Sequence, residues 1–333
     1  MSITDWRQLH ASHFDRTRVL VTGGAGFIGS HITEALLQLG ATVVVLDDLS
    51  GGDEGNFDTF RPTGDRLHFV RGTILDHNLV TDCVRGCKYV FHLAALGSVP
   101  GSIDQPRKYH DVNVTGTVNV LEAARAAGVQ RVMFAASAAG YGDSEELPKI
   151  ETMPSLAKSP YAANKIACEA LMMAYAASFP IDTAPLRYFN VYGPRQNANS
   201  AYAAVIAAFA KALFADKHPL IFGDGEQSRD FVFVENIVHA NLLAARCSTP
   251  IKGQVINIAC GTRISVNRLA QVMAEAAGKP HLTAQHKPER AGDVKHSQAD
   301  ISRARAILGY EPIVGFEEGL RPTVDWYGGV LVP

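Results

Sequence analysis

Tyr161 and Lys165 are the pair of residues in the sequence best suited to move a proton. They stand four residues apart in the segment PYAANK, so on a helix both side chains project from the same face. A phenol with an ordinary pKa of about 10 is a poor base at neutral pH, but a neighbouring ammonium group and a cationic cofactor ring would favour the phenolate. Pro160 is typical of the first turn of a helix. The spacing therefore predicts a tyrosine that shuttles a proton, although the same spacing is common on helices and gains weight only from its context.

Ser137 is a candidate hydroxyl for the same chemistry. It follows the apolar run from Val132 to Ala136, which is predicted to be a buried strand. The carboxyl ends of the strands in a doubly wound sheet meet the ligand crevice, so the side chain is expected there. The two residues on either side of it are alanines. If the reaction needs a serine from this segment, Ser137 must supply it.

Gly23, Gly26 and Gly29 stand at intervals of three residues in GGAGFIG, directly after a predicted strand. Such glycines let the backbone turn tightly and approach a pyrophosphate, which then lies at the positive end of the following helix. Asp47 ends the second predicted strand, where its carboxylate can accept hydrogen bonds from ribose hydroxyls and would repel a 2′-phosphate. The pattern predicts NAD rather than NADP. The alternative for Asp47 is a cap on the next turn.

Short apolar runs alternate with helical segments through the first half of the chain. The runs are continuous rather than alternating, which predicts a parallel sheet covered on both faces and hence a doubly wound α/β fold of the Rossmann type. From about Tyr188 onward, loops become more frequent and a smaller lobe is expected. We predict an NAD-binding domain over residues 1–186, with returns near 230–260, and a substrate lobe over 187–229 and 261–333.

Length and composition narrow the class of protein. The chain has 333 residues, enough for about two domains. Its formal charge of −2, without a basic patch, argues against nucleic acid as a partner. No apolar run approaches a membrane span and no secretory signal is visible, so we predict a cytoplasmic protein without a membrane partner. Five scattered cysteines indicate reduced thiols and no metal site; the pair Cys83 and Cys87 more often marks a helix face than a metal ligand set.

The motifs resemble those of the extended short-chain dehydrogenase/reductase superfamily, and more narrowly those of the bacterial UDP-sugar 4-epimerases. The likeness runs from about Arg18 to Tyr327. The most specific segments are LGSVPGSIDQP, LRYFNVYGPRQ, AYAAVI, GDGEQSRDF and GDVKHSQADIS. Together they are most similar to epimerases that act on UDP-N-acetylglucosamine and its relatives. The resemblance implies NAD as a tightly held cofactor, a UDP-sugar as substrate and a homodimer.

The resemblance also implies roles for individual residues. Ser137, Tyr161 and Lys165 match the catalytic residues of the family. The positions that match NAD contacts are Gly23, Gly26, Phe27, Ile28, Gly29, Asp47, Asp48, Thr73, Ile74, Leu93, Ala94, Ala95, Asn113, Tyr161, Lys165 and Tyr188. The positions that match substrate contacts are Gly97, Ser98, Ser137, Asn190, Gln196, Ala204, Arg229, Arg290, Asp293 and Ser297. Arginine forks suit phosphate oxygens, and an aspartate suits ribose hydroxyls.

The implied reaction interconverts UDP-N-acetylglucosamine and UDP-N-acetylgalactosamine through a 4-keto sugar. Small residues in the sugar pocket, Ser297 above all, leave room for the N-acetyl group. UDP-glucose and UDP-glucuronate 4-epimerases share the catalytic groups and stay open as alternatives, although no extra cation for a uronate is identifiable. A nucleotide-sensing module without catalysis is a remote alternative. The segment after Ser137 lacks the acidic groups expected in the related 4,6-dehydratases and decarboxylases.

Two departures from the family pattern and one surface feature complete the sequence-based expectations. Thr73 stands where the family often has an aspartate near the adenine. The turn from Ala138 to Gly142 carries fewer hydroxyls than usual, which predicts looser substrate positioning. The predicted helices at 112–127 and 162–179 are apolar on nearly every side. Pairing them with a second copy would bury the excess, and coverage by the second lobe is the alternative.

Overall fold

The computed structural model describes residues 2–58, 60, 64–197, 205–289 and 295–331. Its strands are β1 (Arg18–Thr22), β2 (Thr42–Asp47), β3 (Leu67–Arg71), β4 (Tyr89–His92), β5 (Arg131–Ser137), β6 (Asp182–Tyr188), β7 (Asn190–Tyr192), β8 (Leu220–Phe222), β9 (Ser228–Arg229), β10 (Phe231–Phe233), β11 (Ile256–Ile258), β12 (Ile264–Ser265) and β13 (Gln285–Lys287). Its α-helices are α1 (Trp6–His10), α2 (Phe27–Gln38), α3 (His77–Val84), α4 (Val99–Asp104), α5 (Pro106–His110), α6 (Gly116–Ala126), α7 (Pro160–Ser178), α8 (Val205–Phe214), α9 (Val234–Arg246), α10 (Val266–Ala276), α11 (Ser302–Leu308) and α12 (Phe316–Leu331).

Seven strands form the central sheet, in the order β11-β6-β5-β4-β1-β2-β3, and every neighbouring pair is parallel. The order reverses direction between β1 and β4, which opens a crevice at the carboxyl ends of these strands. All four residues of β4 and nearly all of β1 and β2 are buried, which explains their continuous apolar sequences. The predicted doubly wound Rossmann-type fold is confirmed.

Helices cover both faces of this sheet. On one face, α2 and α9 pack against the strands through residues such as Leu36 and Val238. On the other, α3, α6 and α7 pack through residues such as Val80, Leu121 and Met172. A separate apolar cluster unites α8, α10 and α12 with β10. No helix in the described part of the chain is long and apolar enough to cross a bilayer.

The carboxyl-terminal part of the chain contributes to two of these clusters. Helices α10 and α12 pack with α8, in the manner expected of a second lobe. By contrast, Ala299, Ala304 and Tyr310 pack into the cluster that lies between the sheet and α9. This stretch of the predicted 261–333 lobe therefore packs with the sheet, and the domain division itself stays a prediction.

A buried arginine fastens α9 to the amino-terminal edge of the sheet. Arg131 begins β5, is 3% exposed, and pairs with Asp182 at the start of β6. Its Nη1 and Nη2 donate to the carbonyl oxygens of Cys247 (2.9 Å) and Thr249 (3.1 Å), just after α9 ends. Nη1 also donates to the Ala244 carbonyl oxygen at 2.5 Å, in the last turn of α9, whose carbonyls have no donor within the helix.

Candidate active site

The glycine-rich segment forms a tight turn between β1 and α2. Gly23 has a φ of +70°, and a Cβ added to Gly29 would lie 2.1 Å from the Gly23 carbonyl oxygen. The turn and the helix thus approach more closely than any side chain would allow. Gly26 caps α2 without a side-chain hydrogen bond, so the N–H groups of the first helical turn have no side-chain cap. This end of the helix suits an anion.

Asp47 lies at the carboxyl end of β2, beside the glycine turn. Its Oδ2 accepts from the Ala25 N–H at 2.9 Å, and its Oδ1 accepts from the Leu49 N–H at 2.8 Å. Burial raises the pKa of this carboxyl group, and the two N–H donors partly offset that effect. Each carboxylate oxygen keeps a second lone pair that a ribose hydroxyl could use.

These groups line a first cavity of about 580 Å³ at the carboxyl ends of the sheet strands. Among its lining residues are all the predicted NAD contacts except Asn113, together with Gly97, Ser137 and Gln196 from the predicted substrate set. Sequence reasoning missed several other lining residues, which belong to backbone turns or are apolar: Leu46, Ser50, Gly51, Gly52, Gly72, Val112, Ala135, Ala136, Phe189 and Val191.

Ser137, Tyr161 and Lys165 all line this first cavity. Ser137 ends β5, and its Oγ accepts from the Ala139 N–H at 3.2 Å, which caps a short 3₁₀ turn. Lys165 is 4% exposed, and its Nζ donates to the Ala135 carbonyl oxygen at 2.7 Å. The same nitrogen lies 5.9 Å from the centre of the Tyr161 ring. The ammonium group is therefore held between β5 and the tyrosine.

Capping fixes the start of the helix that carries the tyrosine and the lysine. Ser159 Oγ accepts from the Ala162 N–H at 3.2 Å, and Pro160 occupies the first turn of α7. The Tyr161 N–H donates to Ser102 Oγ at 3.1 Å, which joins α7 to α4. The local sequence thus places Tyr161 in the first turn of a helix whose start is fixed by Ser159 and by Ser102.

A chain of buried polar groups supports the floor of the cavity. His92 Nδ1 lies 2.7 Å from Thr22 Oγ1, and His92 Nε2 lies 3.0 Å from Thr117 Oγ1. Burial lowers the pKa of His92 to about 3, and the nearby Lys165 charge adds to the effect. The neutral imidazole therefore links β1, β4 and α6 beneath the cavity.

Asn113 does not line the cavity but positions one of its walls. The side chain is buried, accepting from the Leu96 N–H at 2.8 Å and donating to the Leu96 carbonyl oxygen at 3.1 Å. It lies in a single π-helical turn, Asp111–Thr115, between α5 and α6. In this structure Asn113 acts through the backbone of the loop that follows β4.

A second cavity of about 250 Å³ adjoins the first and shares Ser137, Tyr188 and Phe189 with it. Besides Ser137, three predicted substrate contacts line it: Asn190, Arg229 and Ser297. Tyr141, Lys149 and His296 also line it and were not identified from the sequence. Lys149 Nζ donates to the Glu146 carbonyl oxygen at 2.8 Å, and Ser228 Oγ lies 2.8 Å from His296 Nδ1.

The remaining predicted substrate contacts divide into two groups. Ser98 lines neither cavity; its Oγ accepts from the Gly101 N–H at 3.0 Å and caps α4. Ala204, Arg290 and Asp293 lie outside the described residues.

The residues present fit a dinucleotide. The glycine turn leaves no space for a Cβ at Gly23 or Gly29, the start of α2 has no side-chain cap, and Asp47 stands where a ribose would lie. Phe27 and Ile28 at the start of the helix and Thr73 and Ile74 after β3 would complete the enclosure.

Comparisons with known proteins agree with this geometry. Residues 20–323 match the family described as GDP-mannose 4,6 dehydratase. A UDP-glucose 4-epimerase of Mycolicibacterium smegmatis is 41% identical over 93% of this chain and 98% of its own length. The structure of a UDP-N-acetylglucosamine 4-epimerase from Methanobrevibacter ruminantium, in complex with UDP-N-acetylmuramic acid, superimposes with a TM-score of 0.89 at 39% identity, covering 95% of this chain and 99% of that one.

A second solved structure concerns the cofactor. The UDP-glucose 4-epimerase of Thermus thermophilus, in complex with NAD, has a TM-score of 0.82 and 37% identity, covering 94% of this chain and 99% of that one. The chain therefore belongs to the GDP-mannose 4,6-dehydratase family of extended short-chain dehydrogenases/reductases, among its NAD-dependent UDP-sugar 4-epimerases.

Proposed function

We propose that this UDP-sugar 4-epimerase interconverts UDP-N-acetylglucosamine and UDP-N-acetylgalactosamine by inverting the configuration at C4. One observation carries the proposal: the first and second cavities meet at Ser137, with Tyr161 and Lys165 on the wall of the first. A sugar placed at this junction would lie against a proton-transfer pair on one side and a nucleotide-binding crevice on the other.

The proposed chemistry assigns a separate task to each side chain. Tyr161 takes the proton from O4 of the sugar and later returns it, while Ser137 donates a hydrogen bond to O4. Lys165, already held by the Ala135 carbonyl oxygen, favours the phenolate form of Tyr161 through its positive charge. NAD, when bound, supplies the acceptor and then the donor of the hydride at C4. The sugar turns its other face before the return transfer, so the reaction has no net redox change.

The charge of the second cavity supports a nucleoside diphosphate. Arg229 and Lys149 line it, and no acidic side chain is among the lining residues in the described part of the chain. Guanidinium and amide groups such as those of Arg229 and Asn190 are suited to phosphate oxygens. We infer that the diphosphate lies along this wall.

The N-acetyl group is the finer part of the proposal. Ser297 lines the second cavity, and its backbone N–H donates to the Ser228 carbonyl oxygen at 3.0 Å, which fixes the residue beside β9. A serine at this position occupies little space, so an acetamido substituent can be accommodated without the strain of an overpacked wall.

One observation favours UDP-glucuronate as a second candidate substrate. Lys149 places a buried cation at the second cavity, although its ammonium group donates to the carbonyl oxygens of Ser144 and Glu146. These bonds use two of three donor hydrogens, leaving one for a carboxylate. The lysine therefore keeps the uronate in the set of substrates to be tested.

The test is to incubate the purified protein separately with UDP-N-acetylglucosamine, UDP-glucose and UDP-glucuronate and to identify the products by NMR. We expect the C4 epimer of the first sugar, formed without added cofactor, and one bound NAD per chain. Turnover of UDP-glucuronate alone would replace the proposed substrate. Accumulation of NADH together with an oxidised sugar would show a dehydrogenase, and no reaction with any UDP-sugar would favour the sensor alternative.

A further inference from the structure

A buried polar network lies beneath the second cavity and involves none of the proposed catalytic side chains. It consists of Tyr141, Glu169, Arg187 and Asn257, and we call it the Tyr141 network. Each member is at most 5% exposed. Because buried polar and charged groups are costly unless they are paired, such a network fixes the elements it joins in one arrangement.

The first link joins the sheet to the helix that carries Tyr161 and Lys165. Arg187 Nε and Nη2 donate to the two carboxylate oxygens of Glu169, both at 2.7 Å. Glu169 lies one turn after Lys165 on α7. This two-pronged ion pair therefore fixes the rotation of α7 against β6.

The second link joins the same arginine to Tyr141. The guanidinium carbon of Arg187 lies 4.6 Å from the centre of the Tyr141 ring, within the range of a cation–π contact. Arg187 Nη1 has no hydrogen-bond partner in the described part of the chain, so the ring is its compensating neighbour. The Tyr141 hydroxyl donates to Asn257 Oδ1 at 2.7 Å, and Asn257 is paired in register with Arg187. Arg187 and Asn257 thus form a platform under the tyrosine.

Tyr141 in turn ends the 3₁₀ turn that Ser137 begins. Ser137 Oγ accepts from the Ala139 N–H, and the turn runs from Ala138 to Tyr141. The residues between the two, Ala138, Ala139 and Gly140, carry no polar side chain. Tyr141 therefore anchors the far end of a turn whose near end carries the proposed substrate hydroxyl.

We propose that Tyr141 is a positioning residue for the epimerase reaction, an inference that rests on the proposed function. Arg187 and Asn257 hold Tyr141, and Tyr141 keeps Ser137 in place. Through Glu169, the same arginine positions the helix that carries Tyr161. The turn between Ser137 and Tyr141, which carries no polar side chain of its own, is thereby anchored at its far end.

The test compares three variants in steady-state kinetics with the UDP-sugar that the wild-type enzyme turns over. Tyr141→Leu removes the ring and the hydroxyl, Tyr141→Phe removes only the hydroxyl, and Arg187→Lys removes the two-pronged contact. Displacement of a reacting group lowers the reaction rate by up to about 10²-fold, so we expect kcat to fall by up to that factor in Tyr141→Leu. Because the predicted substrate contacts Asn190, Arg229 and Ser297 are not altered, KM should change by less than about threefold. Tyr141→Phe should lie between the wild type and Tyr141→Leu.

A matched control separates positioning from general stability. Arg131→Lys alters another buried arginine–carboxylate pair, in which Arg131 of β5 binds Asp182 at the start of β6, the strand that carries Arg187 near its other end. It should lower the melting temperature but leave kcat within about twofold of the wild type. Bound NAD, released by denaturation and quantified by absorbance, should equal the wild-type content in Tyr141→Leu.

The outcomes separate the inference from the proposed function. Wild-type kcat in Tyr141→Leu would overturn the positioning role while leaving the epimerase intact. A raised KM with unchanged kcat would instead make Tyr141 a substrate contact and would equally overturn the proposal, as would an equal loss of kcat in Arg131→Lys. Absence of epimerisation by the wild-type enzyme would overturn the proposed function, and the inference with it.

Discussion

At the scale of single residues, Tyr161 is the group on which the proposed reaction depends most directly. We expect Tyr161→Phe to lower kcat by about 10²-fold or more, since the substitution removes only the proton transfer. Binding of NAD and of the UDP-sugar should be almost unchanged, because the ring and its neighbours on the cavity wall stay in place. Turnover and NAD content of the purified variant check this. A variant that keeps more than half of the wild-type rate would remove Tyr161 from the mechanism.

Ser297 tests the assignment of the sugar pocket. We expect Ser297→Tyr to suppress activity on UDP-N-acetylglucosamine and to spare UDP-glucose, because the larger side chain would fill the space of the acetamido group. Overpacking of this kind costs about 1 to 3 kcal/mol, enough to exclude one of two similar substrates. The measurement is the ratio of kcat/KM for the two sugars, with Ser297→Ala as the small control. An unchanged ratio in the tyrosine variant would contradict the position of the wall.

At the scale of elements, the glycine turn before α2 has little space for an added side chain. A Cβ at Gly29 would lie 2.1 Å from the Gly23 carbonyl oxygen and cannot fit without moving the turn. We expect Gly29→Ala to yield protein with less than half of the wild-type NAD content, because the backbone would no longer approach the pyrophosphate. Gly329→Ala is the control, since a Cβ there meets no atom within 4 Å. Full NAD content in Gly29→Ala would argue against this turn as the pyrophosphate site.

The elements that the sequence predicted well are those whose signals are local. The strand predicted from Val132 to Ala136 is Arg131–Ser137, and the helix predicted at 162–179 is Pro160–Ser178. The segment predicted as a helix at 112–127 is helical from Asp111 to Ala126, but it begins with a π-helical turn from which Asn113 binds the Leu96 backbone. No periodicity within the segment carries a signal for that contact.

The residues of the candidate site also fall into two groups, those in local motifs and those brought to the site by distant parts of the chain. The glycines, Asp47 and the Tyr161–Lys165 pair lie in short motifs with known spacing, so the sequence identified them. Lys149 reaches the second cavity because its backbone pairs with residues 298 and 300, about 150 positions further along the chain. His296 is held by Ser228, from a distant strand. Such contacts depend on tertiary structure, and nothing in the neighbouring sequence predicts them.

At the scale of the whole molecule, buried histidines make the fold sensitive to acid. Burial lowers the pKa of His10, His31 and His92 to about 3 and that of His239 to about 4. Below pH 6.5, the unfolded chain binds protons that the native chain excludes. The contribution of these histidines to the free energy of unfolding is therefore fully present above pH 6.5 and is lost as the pH falls toward 3. Each histidine contributes up to about 1.4 kcal/mol per pH unit in this window.

His31 allows this effect to be measured as a difference. It lies outside both cavities, and one ring nitrogen lies 3.0 Å from the Pro194 carbonyl oxygen. We expect His31→Gln to reduce the slope of the unfolding free energy against pH by about 1 kcal/mol per unit between pH 6.5 and 5. Urea denaturation across this range is the measurement. Subtraction of the two curves cancels opposing groups such as Asp230, whose pKa burial raises to about 7. Parallel curves for the two proteins would contradict the lowered pKa of His31.

The surface of α7 supports a homodimer, which we propose for the whole molecule. Met173 is 53% exposed on this helix, and Phe179 directly after it is 39% exposed. Burying these side chains against a second copy would remove apolar surface from water. Light scattering at micromolar concentration should give twice the chain mass of 35.8 kDa. A monomeric mass would contradict the proposal, and Met173→Lys should shift a dimer toward the monomer.

Arg131 has a consequence for the order in which the fold is assembled. Its partners lie between 51 and 118 residues away along the chain, in β6 and in the segment after α9. Contacts that close such long loops are expected to form late in folding, after the local ones. Interactions made that late slow unfolding more than they speed folding. A side chain remote from the chemistry would thus lengthen the lifetime of each folded molecule without changing how fast it turns over substrate.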